Sequence, residues 1–345
     1  MSDRTTHTEL PPQAVFAQLL FGKQLTYSLS GVARLGVADH MGKTARPVEE
    51  LAAKTGAHAP SLYRVMRMLA SLGVFREGPK RHFALTPVGE LLKTDAPISL
   101  RYMAIMFGEE FSTRAYAHFT DCLRTGGDGV TKAYGKDIWQ VLAEHPAQCE
   151  VFQQAMTANS SASVPAIVEA YDFTGIKRIA DVGGGHGLLL GSILRGYPAM
   201  KGVLFDRPEV VGSLPKTAFA GLEGRVAVEG GSFFERVPDD CDAYIMKHII
   251  HDWDDDHCRT ILRLMREKLP KNGRVLVCDM VVGDDPDPTP AKMLDIEMLV
   301  MTVGGKERTE AEFAELFASS GLKLNRIVAT APTARPVAVI EAVPA

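Results

Sequence analysis

Between Met246 and Cys258 the chain reads Met-Lys-His-Ile-Ile-His-Asp-Trp-Asp-Asp-Asp-His-Cys, which sets three histidines and four aspartates into thirteen residues. Imidazole is the side chain whose ordinary pKa suits proton removal near neutral pH, so a base is sought here first. His251 sits where the chain leaves a predicted strand. His248 and His257 compete with it, and His257 is expected on the following helix, facing solvent. Histidines and carboxylates together could also ligate a metal, but no ligand spacing is recognisable and no metal is expected.

A second stretch with chemical content is Arg178-Ile-Ala-Asp-Val-Gly-Gly-Gly-His-Gly187, followed by the apolar run Leu188-Leu-Leu190 and by Ile193 and Leu194. That order predicts a strand, a glycine-rich turn and a helix N-terminus. Glycines let backbone pass close to a ligand, and a helix start offers unpaired N–H groups. The turn could simply be tight, yet three glycines behind Asp181 favour a ligand loop. Its spacing is G-x-G-x-G at Gly183, Gly185 and Gly187. A dinucleotide fingerprint would need glycine where Leu188 stands, so a nicotinamide cofactor is disfavoured.

The elements that must carry these residues follow from the rest of the chain. A length of 345 residues calls for two domains. A hydrophobic share of 46% and a charged share of 23% describe a soluble globular protein. A net charge of -4 gives no electrostatic case for nucleic acid or an acidic membrane surface. The polar start Met1–His7 has no signal-like apolar core, and no apolar run is long enough to span a bilayer. Five scattered cysteines contain no C-x-x-C pair. Neither a disulfide framework nor a zinc site is expected, and an intracellular, reducing location is.

From Pro12 to about His40 apolar residues recur at helical spacing, and Gly31 and Gly36 do not end the pattern. Helices are predicted over Val48–Thr55 and Pro60–Leu72, then a hairpin of Val74-Phe75 and Phe83–Leu85 around the tip Gly78–Arg81. This is a winged-helix order. It admits a DNA-binding regulator, with Arg64, Arg67, Lys80 and Arg81 as contacts, but nearby acids dilute the basic charge and packing against another subunit is preferred. Ser99–Tyr171 should be mostly helical, rich enough in aromatic and sulfur side chains to line an apolar pocket and to close over a site between two lobes.

Beyond the glycine turn, strands are predicted at Gly202–Asp206, Arg225–Glu229, Asp242–Met246 and Arg274–Asp279, with helices at Thr260–Leu269 and Thr309–Ser320. Two closing strands, Lys323–Thr330 and Pro336–Val343, lie too close together for a crossover and should pair antiparallel. The fold class is therefore α/β, a Rossmann-like mostly parallel sheet of seven strands beside an N-terminal, mostly helical winged-helix domain. Asp206 at a strand end could take both hydrogen bonds from a ribose diol, and Phe233 in Gly230-Gly-Ser-Phe-Phe234 could pack on an adenine ring.

The glycine motif behind Asp181 resembles motif I of class I S-adenosylmethionine-dependent methyltransferases. With His251-Asp-Trp253 and Gly304-Gly-Lys-Glu-Arg-Thr309, nearly the whole chain resembles the caffeic-acid and hydroxyindole type O-methyltransferases and their bacterial secondary-metabolism relatives. The resemblance implies His251 as general base, with Asp279 and Glu307 as the acids that flank the imidazole. It implies S-adenosyl-L-methionine at Asp181, Gly183, Gly185, Asp206, Ser232, Phe233, Lys247 and Trp253. It implies a small aromatic acceptor lined by Trp139, Phe152, Met156, Asn159, Met298 and Thr302, with Glu297 nearby or, preferably, facing outward. Where the family usually reads G-D-M, this chain has Gly231-Ser-Phe233, a weaker acceptor and a ring in place of sulfur.

Three regions follow: a winged-helix-like dimerisation domain over 1–98, a helical linker and substrate pocket over 99–172, and the cofactor-binding catalytic domain over 173–345. A cytoplasmic homodimer is expected, with no nucleic-acid or membrane partner. Carbon or nitrogen as the methyl acceptor, or a relative that no longer transfers methyl, stays open as an alternative to oxygen.

Overall fold

In a strand covered on both faces, successive side chains enter opposite cores. Strand Arg178–Val182 obeys this, because Ile179 joins one apolar cluster while Ala180 and Val182 join the other. The structure, a computed structural model, describes residues 11–331 and 336–345. The Met1–His7 segment lies outside the described residues.

In chain order the strands are β1 Arg46–Pro47, β2 Phe75–Gly78, β3 His82–Leu85, β4 Arg178–Val182, β5 Lys201–Asp206 and β6 Val226–Gly230. They continue with β7 Ala243–Lys247, β8 Arg274–Asp279, β9 Val281–Val282, β10 Arg308–Thr309, β11 Leu322–Ala329 and β12 Ala338–Pro344. The main sheet runs β11-β12-β8-β7-β4-β5-β6. Strands β4 to β8 pair in parallel, and β12 pairs antiparallel with both β8 and β11, as the short connection between the closing strands required. The order reverses beside β4, so the C-terminal ends of β4, β5 and β7 open onto a common crevice.

One face of the sheet packs on helices Asp255–Lys268 and Glu310–Ala318 through Ile261, Leu262, Met265, Phe313 and Phe317. The other packs on helix Leu188–Gly196 through Leu189, Leu190, Ile193 and Leu194. Burying each such side chain contributes about 1.5–3 kcal/mol. Helix 255–268 carries His257, as expected, and begins where Asp254 caps it by accepting from the His257 N–H at 2.9 Å. Thr309 and Glu312 form a capping box that starts the next helix.

The chain divides into two compact units, one of residues up to Glu110 with Glu150–Ala155, the other of Phe111–Cys149 with Met156–Ala345. In the first unit the expected single run from Pro12 to His40 is two helices, α1 Pro12–Leu20 and α2 Gly22–Arg34, then a short 3-10 turn Val37–His40. Gly36 adopts φ 65° and ends α2 after all. Helices α3 Val48–Thr55 and α4 Ala59–Ser71 precede the β2–β3 hairpin, and β1 adds a third strand against β3 that the sequence did not announce. Within the second unit the middle stretch is helical, and long helix Pro146–Ala170 runs through both units. Among the described residues no helix is long and apolar enough to cross a membrane.

Gly202 on β5 is where Leu190 seats, since a Cβ there would lie 2.5 Å from Leu190 Cδ1, whereas at Gly212 nothing lies within 4 Å. Gly202→Ala is expected to lower the unfolding free energy by about 1–3 kcal/mol, read from urea titration. Gly212→Ala should stay within about 0.5 kcal/mol of the parent. Equal losses at the two positions would show that the contact with Leu190 does not hold β5.

Candidate active site

The turn after β4 is built from three left-handed glycines, Gly183, Gly185 and Gly187, at φ 69°, 56° and 75°. They do different things. A Cβ at Gly183 would meet Ile249 at 2.4 Å and one at Gly187 would meet Phe219 at 2.3 Å, so both accept packed neighbours. A Cβ at Gly185 would meet nothing within 4 Å, so the backbone there faces open space. The Gly185 N–H donates to Asp206 Oδ2 at 2.8 Å, and the Arg207 N–H donates to Oδ1 at 2.7 Å, which ties the end of β5 to the turn. Burial holds Asp206 above the usual carboxylate range, opposed by those two donors.

Asp181 lies beneath the turn, buried, and accepts from the Leu190 N–H at 3.3 Å. Burial raises its carboxyl to about 7, with the Lys247 charge pulling the other way. Of the residues expected at a cofactor, Gly183, Gly185, Asp206 and Phe233 meet at one edge, since the Phe233 ring comes within 3.7 Å of a Cβ built on Gly183. The Ser232 hydroxyl accepts from the Phe234 N–H at 3.3 Å, which keeps it in its own turn.

An aromatic group continues from there. The Trp253 ring lies 4.8 Å from Phe234, 6.2 Å from Phe233 and 6.5 Å, stacked, from Trp139. The expected cofactor contact Trp253 and the expected acceptor contact Trp139 therefore share one wall. His257 packs on the outside of it, 5.6 Å from Trp253 and exposed, as expected.

His251 is buried in a 3-10 turn, Ile250–Asp252, just beyond β7. Its Nδ1 lies 2.6 Å from Glu307 Oε1. The parallel pairing of β10 with β9, Arg308 opposite Val281, is what brings Glu307 beside the end of β8. Glu307 is steadied in turn by its own N–H, which donates to Asp295 Oδ1 at 2.9 Å. Asp279 comes near the same imidazole, one of its oxygens within 4.8 Å of a His251 ring nitrogen. It lies with His248, Oδ1 to Nδ1 3.5 Å, and the His248 ring stacks on His251 at 5.1 Å. His248 takes φ 56°, a left-handed conformation uncommon outside glycine. Asp252 reaches the other side of the imidazole, 3.5 Å from Nε2.

Burial alone would lower the His251 pKa, but Asp252, Glu307 and Asp279 outweigh it and raise it to about 10. Burial lifts Asp252 to about 6 and Asp279 to about 7, in both cases against the pull of His251. An acidic pocket around one imidazole favours whatever positive charge enters it.

Arg308, within the G-G-K-E-R-T stretch, was absent from the sequence candidates and is 1% exposed. Its guanidinium donates to the carbonyls of Ile250 at 2.9 Å and Trp253 at 3.0 Å and pairs with Asp255 at 2.7 Å. It thus clamps the chain on both sides of His251. Gly305 brings a further expected residue in, since a Cβ there would lie 2.2 Å from Thr302 Oγ1 and 2.5 Å from the His251 carbonyl. Thr302 donates to the Met298 carbonyl at 2.8 Å, and both are buried.

Met156 and Asn159 lie on the long helix in the second unit, with Asn159 buried, whereas Phe152 falls in the first unit. Glu297 accepts from the Tyr116 hydroxyl at 2.6 Å and ties its helix to the preceding ones. An open glycine backbone, a diol-sized carboxylate, a flat ring and buried negative charge fit S-adenosylmethionine, a cationic nucleoside.

Comparison with known proteins bears on the same point. Residues 116–323 match the O-methyltransferase domain, and residues 17–95 match the O-methyltransferase dimerisation domain. The chain is 40% identical to phenazine O-methyltransferase PhzM of Lysobacter antibioticus, over 100% of both chains. It is similar to the crystal structure of LaPhzM, with TM-score 0.89 and 41% identity over 97% of this chain and 100% of that one. It is also similar to CalO1, a methyltransferase in calicheamicin biosynthesis in its S-adenosylhomocysteine-bound form, with TM-score 0.86 and 33% identity over 98% of this chain and 100% of that one. With its glycine turn, buried imidazole and two-part organisation, the chain belongs to the S-adenosylmethionine-dependent O-methyltransferase family.

Proposed function

We propose that this enzyme methylates a phenolic hydroxyl of a small planar aromatic secondary metabolite, with His251 as the general base. The observation that carries the reading is the 2.6 Å contact between His251 Nδ1 and Glu307 in a buried acidic pocket. Glu307 accepts the Nδ1 proton, which leaves Nε2 as the basic nitrogen. A phenol, with a pKa of about 10, becomes a strong nucleophile once Nε2 takes its proton. S-adenosylmethionine supplies an activated methyl on a sulfonium, so the protein has only to align the acceptor and hold that proton.

In this reading Gly183 and Gly185 admit the donor's nucleoside, Asp206 holds the ribose diol and Phe233 packs on the adenine, with Ser232, Lys247 and Trp253 around it. Asp181 supports the turn from below. Asp279 and Asp252 add the negative charge that favours a cationic donor and the imidazolium that forms. Trp139, Met156, Asn159, Met298 and Thr302, all in the second unit, line the acceptor pocket. The full-length likeness to a phenazine O-methyltransferase supports a fused aromatic bearing a hydroxyl.

The first region, residues 1–98, serves homodimerisation in a cytoplasmic enzyme. Phe16, Leu19 and Leu20 on α1 are 64%, 74% and 65% exposed, and a groove of about 530 Å³ lined by Tyr27, Val32, Leu35, Leu62 and Val65 lies within the same unit. A second copy covering these surfaces explains their apolar character.

His251→Ala is expected to cut turnover at least about 100-fold on a panel of hydroxyphenazines and other phenols with labelled donor. Donor binding, measured by calorimetry, should stay near the parent value. Near-normal turnover would sink the general-base role.

The pH dependence has a definite sign. The imidazole keeps its proton up to about pH 10 and works as a base only when neutral, so kcat/KM should climb with pH toward that value. Glu307→Gln removes one charge that holds the proton, so the rising limb moves to lower pH. Its plateau falls roughly 10-fold or more as the ring orientation loosens. A limb owed to the substrate phenol would not move, and an unmoved limb would remove His251 from the assignment.

Light scattering should report a mass twice the 37.5 kDa of the chain. Phe16→Asp with Leu19→Asp should bring it to the single-chain mass. A monomeric parent would refute the dimer.

A further inference from the structure

Three metal-ligating side chains, His248 and the proposed base His251 from the stretch beyond β7 and Asp279 from the end of β8, meet at one place. One donor atom each from His248, His251 and Asp279 lies within 4.8 Å of the others. His248 Nδ1 and Asp279 Oδ1 are already 3.5 Å apart. A tetrahedral ion with bonds of about 2.1 Å sets its donors roughly 3.4 Å apart, so small side-chain rotations complete the set.

Two further observations point to a ligand there. Both carboxylate oxygens of Asp279 are buried, and neither has a hydrogen-bond partner among the described residues. A buried carboxylate in that condition is costly unless something positive meets it. The remaining nitrogen of His251 is bonded to Glu307, the outer carboxylate that commonly orients a metal-bound imidazole. The left-handed His248 backbone, its N–H donating to the Cys278 carbonyl at 3.2 Å, holds that ring beside Asp279.

We propose that His248, His251 and Asp279 bind a divalent transition cation of the Zn²⁺ type, and that the bound ion inhibits methyl transfer by occupying the imidazole. Two nitrogens and one carboxylate suit Zn²⁺, Co²⁺ or Ni²⁺ over Mg²⁺ and Ca²⁺, which prefer all-oxygen sites. Asp252, 3.5 Å from His251 Nε2, adds a further carboxylate on the same side. Binding rests on the geometry alone, while inhibition rests also on the reading of His251 as base.

The test titrates the full-length, chelator-treated protein with Co²⁺, following its visible absorption, and measures turnover with Zn²⁺ and with Zn²⁺ plus a chelator. The expected result is one Co²⁺ per chain, not displaced by Mg²⁺, and inhibition by Zn²⁺ that the chelator reverses. His248→Asn, which keeps a residue tolerant of left-handed backbone, and Asp279→Asn should each weaken Co²⁺ binding at least 10-fold. No Co²⁺ band, or binding unchanged in both variants, overturns the site. Binding lost in the variants while Zn²⁺ leaves parental turnover untouched overturns the inhibition. Failure of the base reading is separate, because it shows as turnover in His251→Ala, which contains no added metal.

Discussion

The buried guanidinium of Arg308 is the interaction on which the active site depends. His251 sits on neither a helix nor a strand of the main sheet, but on a 3-10 turn whose flanking carbonyls point inward. Arg308 satisfies the carbonyls of Ile250 and Trp253 and pairs with Asp255 at the start of the next helix. A buried cation without such partners would be strongly destabilising, so the turn and the guanidinium hold each other. Because Arg308 follows Glu307 directly and β10 pairs with β9, the same contact that fixes the turn places the carboxylate against the imidazole.

That geometry sets the electrostatics. Asp252, Asp279 and Glu307 surround one imidazole away from water, and they hold its proton far more firmly than solvent would. The same negative charge favours a cationic donor. Asp279 lies 3.5 Å from His248 Nδ1 and acts on the His251 imidazole through its charge.

Much of the fold was legible in the chain. Short apolar runs marked β5, β7 and β8 to within a residue, because strands buried on both faces leave little freedom in composition. A boundary moved where Gly36 took a left-handed conformation to end a helix. The short strand β1 was invisible because two residues carry no periodicity.

At the site, local patterns named Gly183, Gly185, Asp206 and His251, since a glycine turn and a strand-end acid are features of neighbouring residues in sequence. Glu307 and Asp279 were reached through motif resemblance, and only the fold sorted which imidazole each acid meets. Arg308 was passed over because a charged residue in a polar motif reads as solvent-exposed, and its burial follows from the β9–β10 pairing. By itself the sequence determined the sheet and the glycine turn and singled out the His251 imidazole. The tertiary structure decided the partners of that imidazole, because distances between side chains 56 residues apart depend on how separate strands register, not on local spacing.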